Sequence, residues 1–240
     1  MMNICLIQTY PEGRRSNIQY LEWTMKQNQA DLYLLPELFT TGFDYLADPK
    51  HWPTDAEVIP DGLTCRQILG FLKGRSSAVV CGLLEQAGQD YYNIAAVIGN
   101  GTIERYRQKY PATSNNGRVL PIEAGDYQTI TVLLQDSLLF KIGFMICSEC
   151  YMAAAFFEEY KRRGVNAVVL IADSSNRTWI KEFPHYCREY GLTAIVCNAA
   201  GPNGGDSCII NAAGEFVPLW TPSGNREYLA DNAVAALGVI

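Results

Sequence analysis

Histidine is nearly absent from this chain: there are 2 in 240 residues. Imidazole is the usual general base of thiol and serine hydrolases. His51 lies in an irregular, Pro-flanked segment and His185 inside a helical pattern, so neither ends a strand. Positive charge is also short, with 19 Lys and Arg against 25 Asp and Glu, a net charge of −6. That excludes the broad basic surface needed to neutralise nucleic-acid phosphates. No apolar run approaches the roughly 20 residues of a membrane span. The N-terminal MMNICLIQTYPEGRR lacks a basic region ahead of its apolar stretch, so it is not read as a secretory signal and a cytoplasmic location is expected. Charged residues make up 18% and apolar residues 48%, the balance of a folded chain rather than a disordered one. No linker or low-complexity tract divides it, and one domain over residues 1–240 is expected.

The 8 cysteines do not read as a disulfide framework. Cys5, Cys81 and Cys197 sit inside apolar runs, as buried reduced thiols do. One C-x-x-C pair, Cys147 and Cys150, lacks a histidine in finger spacing, so no metal site is expected. No cofactor is expected either.

The chain repeats an element order. Asn3–Thr9 and Asp31–Pro36 read as strands flanking a helix over Asn17–Ala30, where Ile18, Leu21 and Met25 fall at helical spacing. A helix over Thr64–Arg75, a strand over Ala78–Leu84 and a hairpin of Tyr91–Ile98 with Thr102–Lys109 around Gly99-Asn100-Gly101 complete the first half. In the second half, strands at Leu139–Ile146, Asn166–Ala172 and Thr193–Asn198 alternate with helices at Ala153–Arg163 and Trp179–Tyr190, the latter started or kinked at Pro184. A second hairpin is expected from Ser207–Asn211 and Glu215–Leu219. Strand–helix–strand units impose parallel pairing and put helices on one face of each sheet. Two such sheets stack through their free apolar faces. The expected fold is α/β, a four-layer α-β-β-α sandwich with two mixed sheets from two similar halves. Ala112–Asp126, rich in Ser, Asn, Gly and Pro, reads as an exposed loop over a site.

Ligands of parallel-rich sheets bind beyond the carboxyl ends of strands. Three reactive residues lie there: Glu37 after Pro36, Cys147 after Leu139–Ile146, and Lys109 after the first hairpin. Cys147, at a strand-to-helix turn, is either a nucleophile beside free backbone N–H groups or a buried structural thiol. Glu37 is either a desolvated base or a carboxylate at the surface edge, and Lys109 either a site amine or part of a solvated basic face.

These residues resemble the motifs of the nitrilase, or carbon–nitrogen hydrolase, superfamily. Leu35-Pro36-Glu37-Leu38-Phe39-Thr40-Thr41-Gly42-Phe43 is similar to its glutamate motif, Tyr106-Arg107-Gln108-Lys109 to its lysine motif, and Gly143-Phe144-Met145-Ile146-Cys147-Ser148-Glu149 to its cysteine motif. The resemblance implies a Glu37–Lys109–Cys147 triad that cleaves a small amide through a thioester, with Lys109 and the Ser148 N–H stabilising the oxyanion. The chain departs from the family after Glu149, where Tyr151-Met152-Ala153-Ala154 replaces the rest of the cysteine motif. It departs again where Asn115-Asn116-Gly117-Arg118 stands in the region of a second glutamate, which leaves Glu123 as the next acid. Phe43, Tyr110, Glu123, Glu149, Asn176 and Arg177 are the candidate pocket residues. A small amide or nitrile and water are the expected substrates, an amide being favoured. A homodimer or higher homo-oligomer is implied, with the helices over Ala153–Arg163 and Trp179–Tyr190 as candidate contacts. Two other readings stand beside this one: a C-x-x-C thiol–disulfide protein, and a catalytically silent scaffold of the same fold.

Overall fold

A computed structural model of the chain describes residues 1–10, 14–42, 49–111, 114–115, 118–119, 123–133, 139–201, 204–229 and 234–240. Its first half runs β1 (Asn3–Gln8), α1 (Arg14–Gln27), β2 (Leu32–Leu34), a short α2 (Trp52–Asp55), α3 (Leu63–Leu72), β3 (Ala78–Ala87), β4 (Asp90–Gly99) and β5 (Thr102–Arg107). A small ladder of β6 (Ser114–Asn115) and β7 (Arg118–Val119) lies within the stretch expected to be irregular, and β8 (Thr129–Leu133) follows. The second half runs β9 (Leu139–Ile146), a 3-10 turn over Cys147–Met152, α4 (Ala153–Arg162), β10 (Ala167–Ala172), α5 (Thr178–Tyr190), β11 (Thr193–Asn198) and β12 (Cys208–Ile210). The chain closes with β13 (Leu219–Thr221), β14 (Gly224–Arg226) and β15 (Val234–Val239).

The first sheet has the order β14-β13-β15-β1-β2-β3-β4-β5, and the second β12-β11-β10-β9-β8. In each, three strands joined by helical crossovers pair in parallel: β1, β2 and β3, then β9, β10 and β11. The next strand of each half, β4 or β12, turns antiparallel. The expected repeat therefore holds through six regular elements, and its seventh is a short hairpin arm. The hairpin expected after β12 forms in short: Phe216 bridges Ile210 antiparallel, the Val217 N–H donates to the Ile209 carbonyl at 2.8 Å and the Asn211 N–H to the Glu215 carbonyl at 2.9 Å. β13 then leaves for the first sheet, where it pairs with β15. β15 in turn pairs antiparallel with β1. Beyond the second hairpin expected from the sequence, a crossover adds three strands to the first sheet.

Period-two alternation sorts the side chains into layers. Ile4, Leu6, Leu32, Leu34, Ala78, Val80, Ala95 and Val97 join the cluster shared with the second sheet. Their neighbours Cys5, Ile7, Tyr33, Val79, Cys81, Ile94 and Ala96 face Ile18, Leu21 and Met25 of α1 and Cys65 and Ile68 of α3. On the far side, Phe156, Phe157 and Tyr160 of α4 and Trp179 and Phe183 of α5 are buried with the second sheet. Burial of each large apolar side chain contributes about 1.5–3 kcal/mol. The apolar faces of α4 and α5 are thus spent on the chain's own core. α5 runs through Pro184, which neither starts nor ends it, and stops at Gly191, where φ is +63°. There the Leu192 N–H returns to the Cys187 carbonyl at 3.1 Å, a closure that needs a left-handed residue. No described helix is long and apolar enough to cross a membrane.

Candidate active site

β2 ends one turn before Glu37, and the chain then folds back on β3. The Gly82 N–H donates to the Pro36 carbonyl at 3.0 Å, and the Phe39 N–H to the Gly82 carbonyl at 3.0 Å. A Cβ at position 82 would lie 2.4 Å from the Glu37 Cα and 2.5 Å from the Leu38 nitrogen. Only glycine lets the Glu37 turn sit so close to the sheet. Gly82→Ala should therefore cost about 1–3 kcal/mol of stability through overpacking. Denaturant unfolding checks this, and an unchanged midpoint would show that the turn can move aside freely.

Glu37 is buried, 1% exposed. Its Oε1 accepts from the Asn93 Nδ2 at 2.6 Å and its Oε2 from the Asp173 backbone N–H at 3.0 Å. Burial pushes its carboxyl up to about 7, and the Asp173 carboxylate adds to the rise, against the bond from Asn93. Cys147 follows β9 with a φ of +49°, opening the 3-10 turn. Its thiol lies against the Glu37 carboxylate. Burial, with the Glu37 charge beside it, holds the thiol well above its ordinary range. It is therefore a resting S–H next to a carboxylate that ionises near neutrality. Among the 8 cysteines, all free, Cys147 alone is partly exposed. Backbone N–H groups opening such a turn have no acceptor within it.

Lys109 does not join this pair. β5 ends at Arg107, and the next residue, Gln108, continues the ladder with its N–H on the Asn93 carbonyl at 2.9 Å. Alternation puts Gln108 on the inward face of Tyr106. Gln108 is buried; its Oε1 accepts from Asn93 at 3.1 Å, and its Nε2 donates to the Ile146 carbonyl at 2.8 Å. The Lys109 ammonium instead pairs with Asp126 at 2.9 Å and lies over the Tyr127 ring at 4.6 Å. It makes no ion pair with Glu37.

Glu149, expected in a pocket wall, is fully buried and serves as a structural tie. Its oxygens accept from the Ile146 N–H at 2.7 Å, the Lys109 N–H at 2.7 Å, the Tyr110 N–H at 3.0 Å and the Tyr106 hydroxyl at 2.9 Å. It binds the segment after β5 to the cysteine turn. Burial raises its carboxyl to about 7, opposed by these bonds.

The other candidates scatter. The Asn176 Oδ1 accepts from the Thr178 N–H at 3.0 Å just ahead of α5, and Arg177 pairs with Asp206 at 2.7 Å. Glu123 is exposed, its backbone N–H on the Tyr91 carbonyl at 2.8 Å. Tyr110 is 39% exposed and packs edge-on against Phe156. Phe43 lies outside the described residues. Cys150 is buried against the Thr178 hydroxyl, with Oγ1 to Sγ at 3.6 Å, a poor position for dithiol exchange with a partner. His51 is exposed, and His185 sits on the outer face of α5, 3.2 Å from Glu189. Among the described residues no group of three His, Cys, Asp or Glu side chains is placed to hold a metal ion.

Motif reading alone missed Asn93, Gln108, Asp173 and Asn198. Asn93 and Gln108 were detectable as polar residues on the inward parity of β4 and of the strand leading to Lys109. Asn198 is fully buried and holds the segment after β10, bonding the Ser174 carbonyl at 2.9 Å and the Gly205 carbonyl at 2.8 Å.

Comparison with known proteins agrees with the fold. The carbon-nitrogen hydrolase family model matches residues 5–224. A protein named Nitrilase from Pyrococcus abyssi is 26% identical over 167 residues, 69% of this chain; that match spans 60% of the relative's own length. An amidase from Nesterenkonia sp. superposes with a TM-score of 0.77 at 16% identity, covering 100% of this chain and 90% of its own. Nit3 of Saccharomyces cerevisiae, a member of branch 10 of the nitrilase superfamily, superposes at 0.75 with 14% identity, covering 99% and 89%. With a match over most of its length and the two-sheet architecture in place, the chain belongs to the carbon-nitrogen hydrolase family.

Proposed function

We propose that this protein hydrolyses the C–N bond of a small amide, with Cys147 as nucleophile and Glu37 as base. The observation that carries the reading is the buried Glu37 carboxylate set against the one partly exposed thiol. Glu37 takes the thiol proton as the sulfur attacks the carbonyl carbon. The oxyanion forms against the Ser148 N–H. Glu37 passes the proton to the leaving amine, the C–N bond breaks and a thioester remains. Glu37 then takes a proton from water, whose oxygen attacks the thioester; the acid leaves and the thiol is restored. The amidase among the structural neighbours favours amides over nitriles at the level of analogy only.

The test is a panel of short amides and nitriles, followed by ammonia release and intact mass. An acyl adduct on Cys147, mapped by peptide mass, is the expected result. Ammonia release without dependence on Cys147 overturns the mechanism. No adduct and no ammonia from any panel member favours the silent-scaffold reading, for which the pairing of Lys109 with Asp126 is the specific support.

We also propose a single domain, supported by the family match over residues 5–224. A homodimer through the outer faces of α4 and α5 is proposed from the family resemblance.

A further inference from the structure

The side chain that completes the Glu37–Cys147 site is an amide, and its orientation is dictated from the backbone. The Ile146 carbonyl is an acceptor only, so the Gln108 group facing it at 2.8 Å must be the NH2. Gln108 therefore turns its carbonyl oxygen to Asn93. That oxygen in turn requires the Asn93 NH2, which spans both it at 3.1 Å and the Glu37 Oε1 at 2.6 Å. The reverse face of Asn93 bears the cost: its Oδ1 is buried with no partner among the described residues. An amide with one oxygen orphaned stays in that orientation only if both its neighbours demand a donor. The chain Ile146–Gln108–Asn93–Glu37 thus starts at the residue before the nucleophile and ends on the base. It spans both sheets, from β9 through the end of β5 to β4. The Lys109 ammonium is outside it, held by Asp126 and the Tyr127 ring.

We infer that Gln108 is a positioning residue of this site, acting through Asn93 to present a hydrogen-bond donor to Glu37, and that Lys109 has no part in coupling Glu37 to Cys147. This rests on the hydrolase reading for its use, but not for its test. Without the Gln108 amide, Asn93 is free to turn its oxygen toward Glu37. That orientation disfavours the carboxylate and leaves less base at neutral pH. The other titratable groups around the pair are Asp173, after β10, and Cys150, in the cysteine turn. Neither is altered in the variants below. With a neutral amide in place of an ammonium, the forming oxyanion depends on backbone N–H groups rather than on a fixed cation.

Alkylation of Cys147 by iodoacetamide reads the Glu37–Cys147 coupling whether or not any amide turns over. The rate is followed from pH 5 to 10 by intact mass, with peptide mapping to Cys147. Gln108→Met should slow alkylation at pH 7 about tenfold, the equivalent of a one-unit upward move of the profile. Lys109→Met should leave the rate within about twofold, well under the tenfold of a one-unit move. Asn93→Leu should reproduce the Gln108→Met profile, and replaces it if that variant does not fold. A shift with Lys109→Met, or none with either amide variant, overturns the inference. Absence of ammonia release from wild type would count against the hydrolase reading alone.

Discussion

Glu37→Gln should lower amide turnover about 1000-fold, the scale of a lost general base. The fold should survive, because Gln keeps a carbonyl oxygen for the Asn93 Nδ2. Wild-type kcat/KM should rise with pH through an acid limb near 7, where the Glu37 carboxyl ionises and becomes able to take the Cys147 proton. That limb should vanish in the variant. Stability should move the opposite way. A carboxyl raised from its ordinary 4.5 to about 7 favours the protonated form in the folded state. Its contribution is complete below the ordinary value and is lost as pH rises through about 7. The wild-type Tm should therefore fall between pH 5 and 8 more steeply than that of Glu37→Gln. Glu149 carries a similar rise, so part of the slope persists. Steady-state kinetics and thermal melts across that range check both statements; an unchanged acid limb in the variant would remove Glu37 from the chemistry.

Glu149→Ala should destabilise the protein by about 3–5 kcal/mol. The substitution strips the Ile146, Lys109 and Tyr110 N–H groups and the Tyr106 hydroxyl of their common acceptor, and the Ile146 and Tyr106 donors are buried. Each unpaired buried donor costs about 1–3 kcal/mol, and relaxation recovers part of the sum. Relief of a buried charge works against this loss, but only above pH 7, where the carboxyl is ionised. The measurement is therefore best made at pH 6 by denaturant unfolding. A loss below about 1 kcal/mol would mean that the segment after β5 is held by other contacts. The variant should also lose activity, since the same carboxylate fixes the turn that presents Cys147.

Much of this architecture was legible in advance. β9 and β11 match their expected limits, and in β11 the apolar run is bounded by Thr193 and Asn198. α1 and α3 are shifted by a few residues, the usual uncertainty at fraying ends. The destination of the last strands was not legible. Val234–Val239 is an Ala- and Val-rich run that local pattern leaves open between helix and strand, and its partner is β1, at the other end of the chain. Lys109 shows a different limit. Residue-type matching selects the lysine, whereas strand parity counted from Tyr106 selects Gln108. A one-residue difference reverses the face, and the backbone decides which neighbour enters the site. The tie made by Glu149 had little local signal, since all its donors but the Ile146 N–H come from the distant segment 106–110.

The seating of β15 between β13 and β1 bears on how the chain is made. β1 is synthesised long before β15, yet one of its two edges waits for that strand to leave the ribosome. Through that interval the half bearing Glu37 presents an open row of N–H and C=O groups to any other nascent strand. Pairing between ends so far apart is slow to form, because loop closure precedes the contacts that reward it. The newborn protein is thus adhesive at β1 until β15 arrives, and crowded translation exposes it most to neighbours of its own kind.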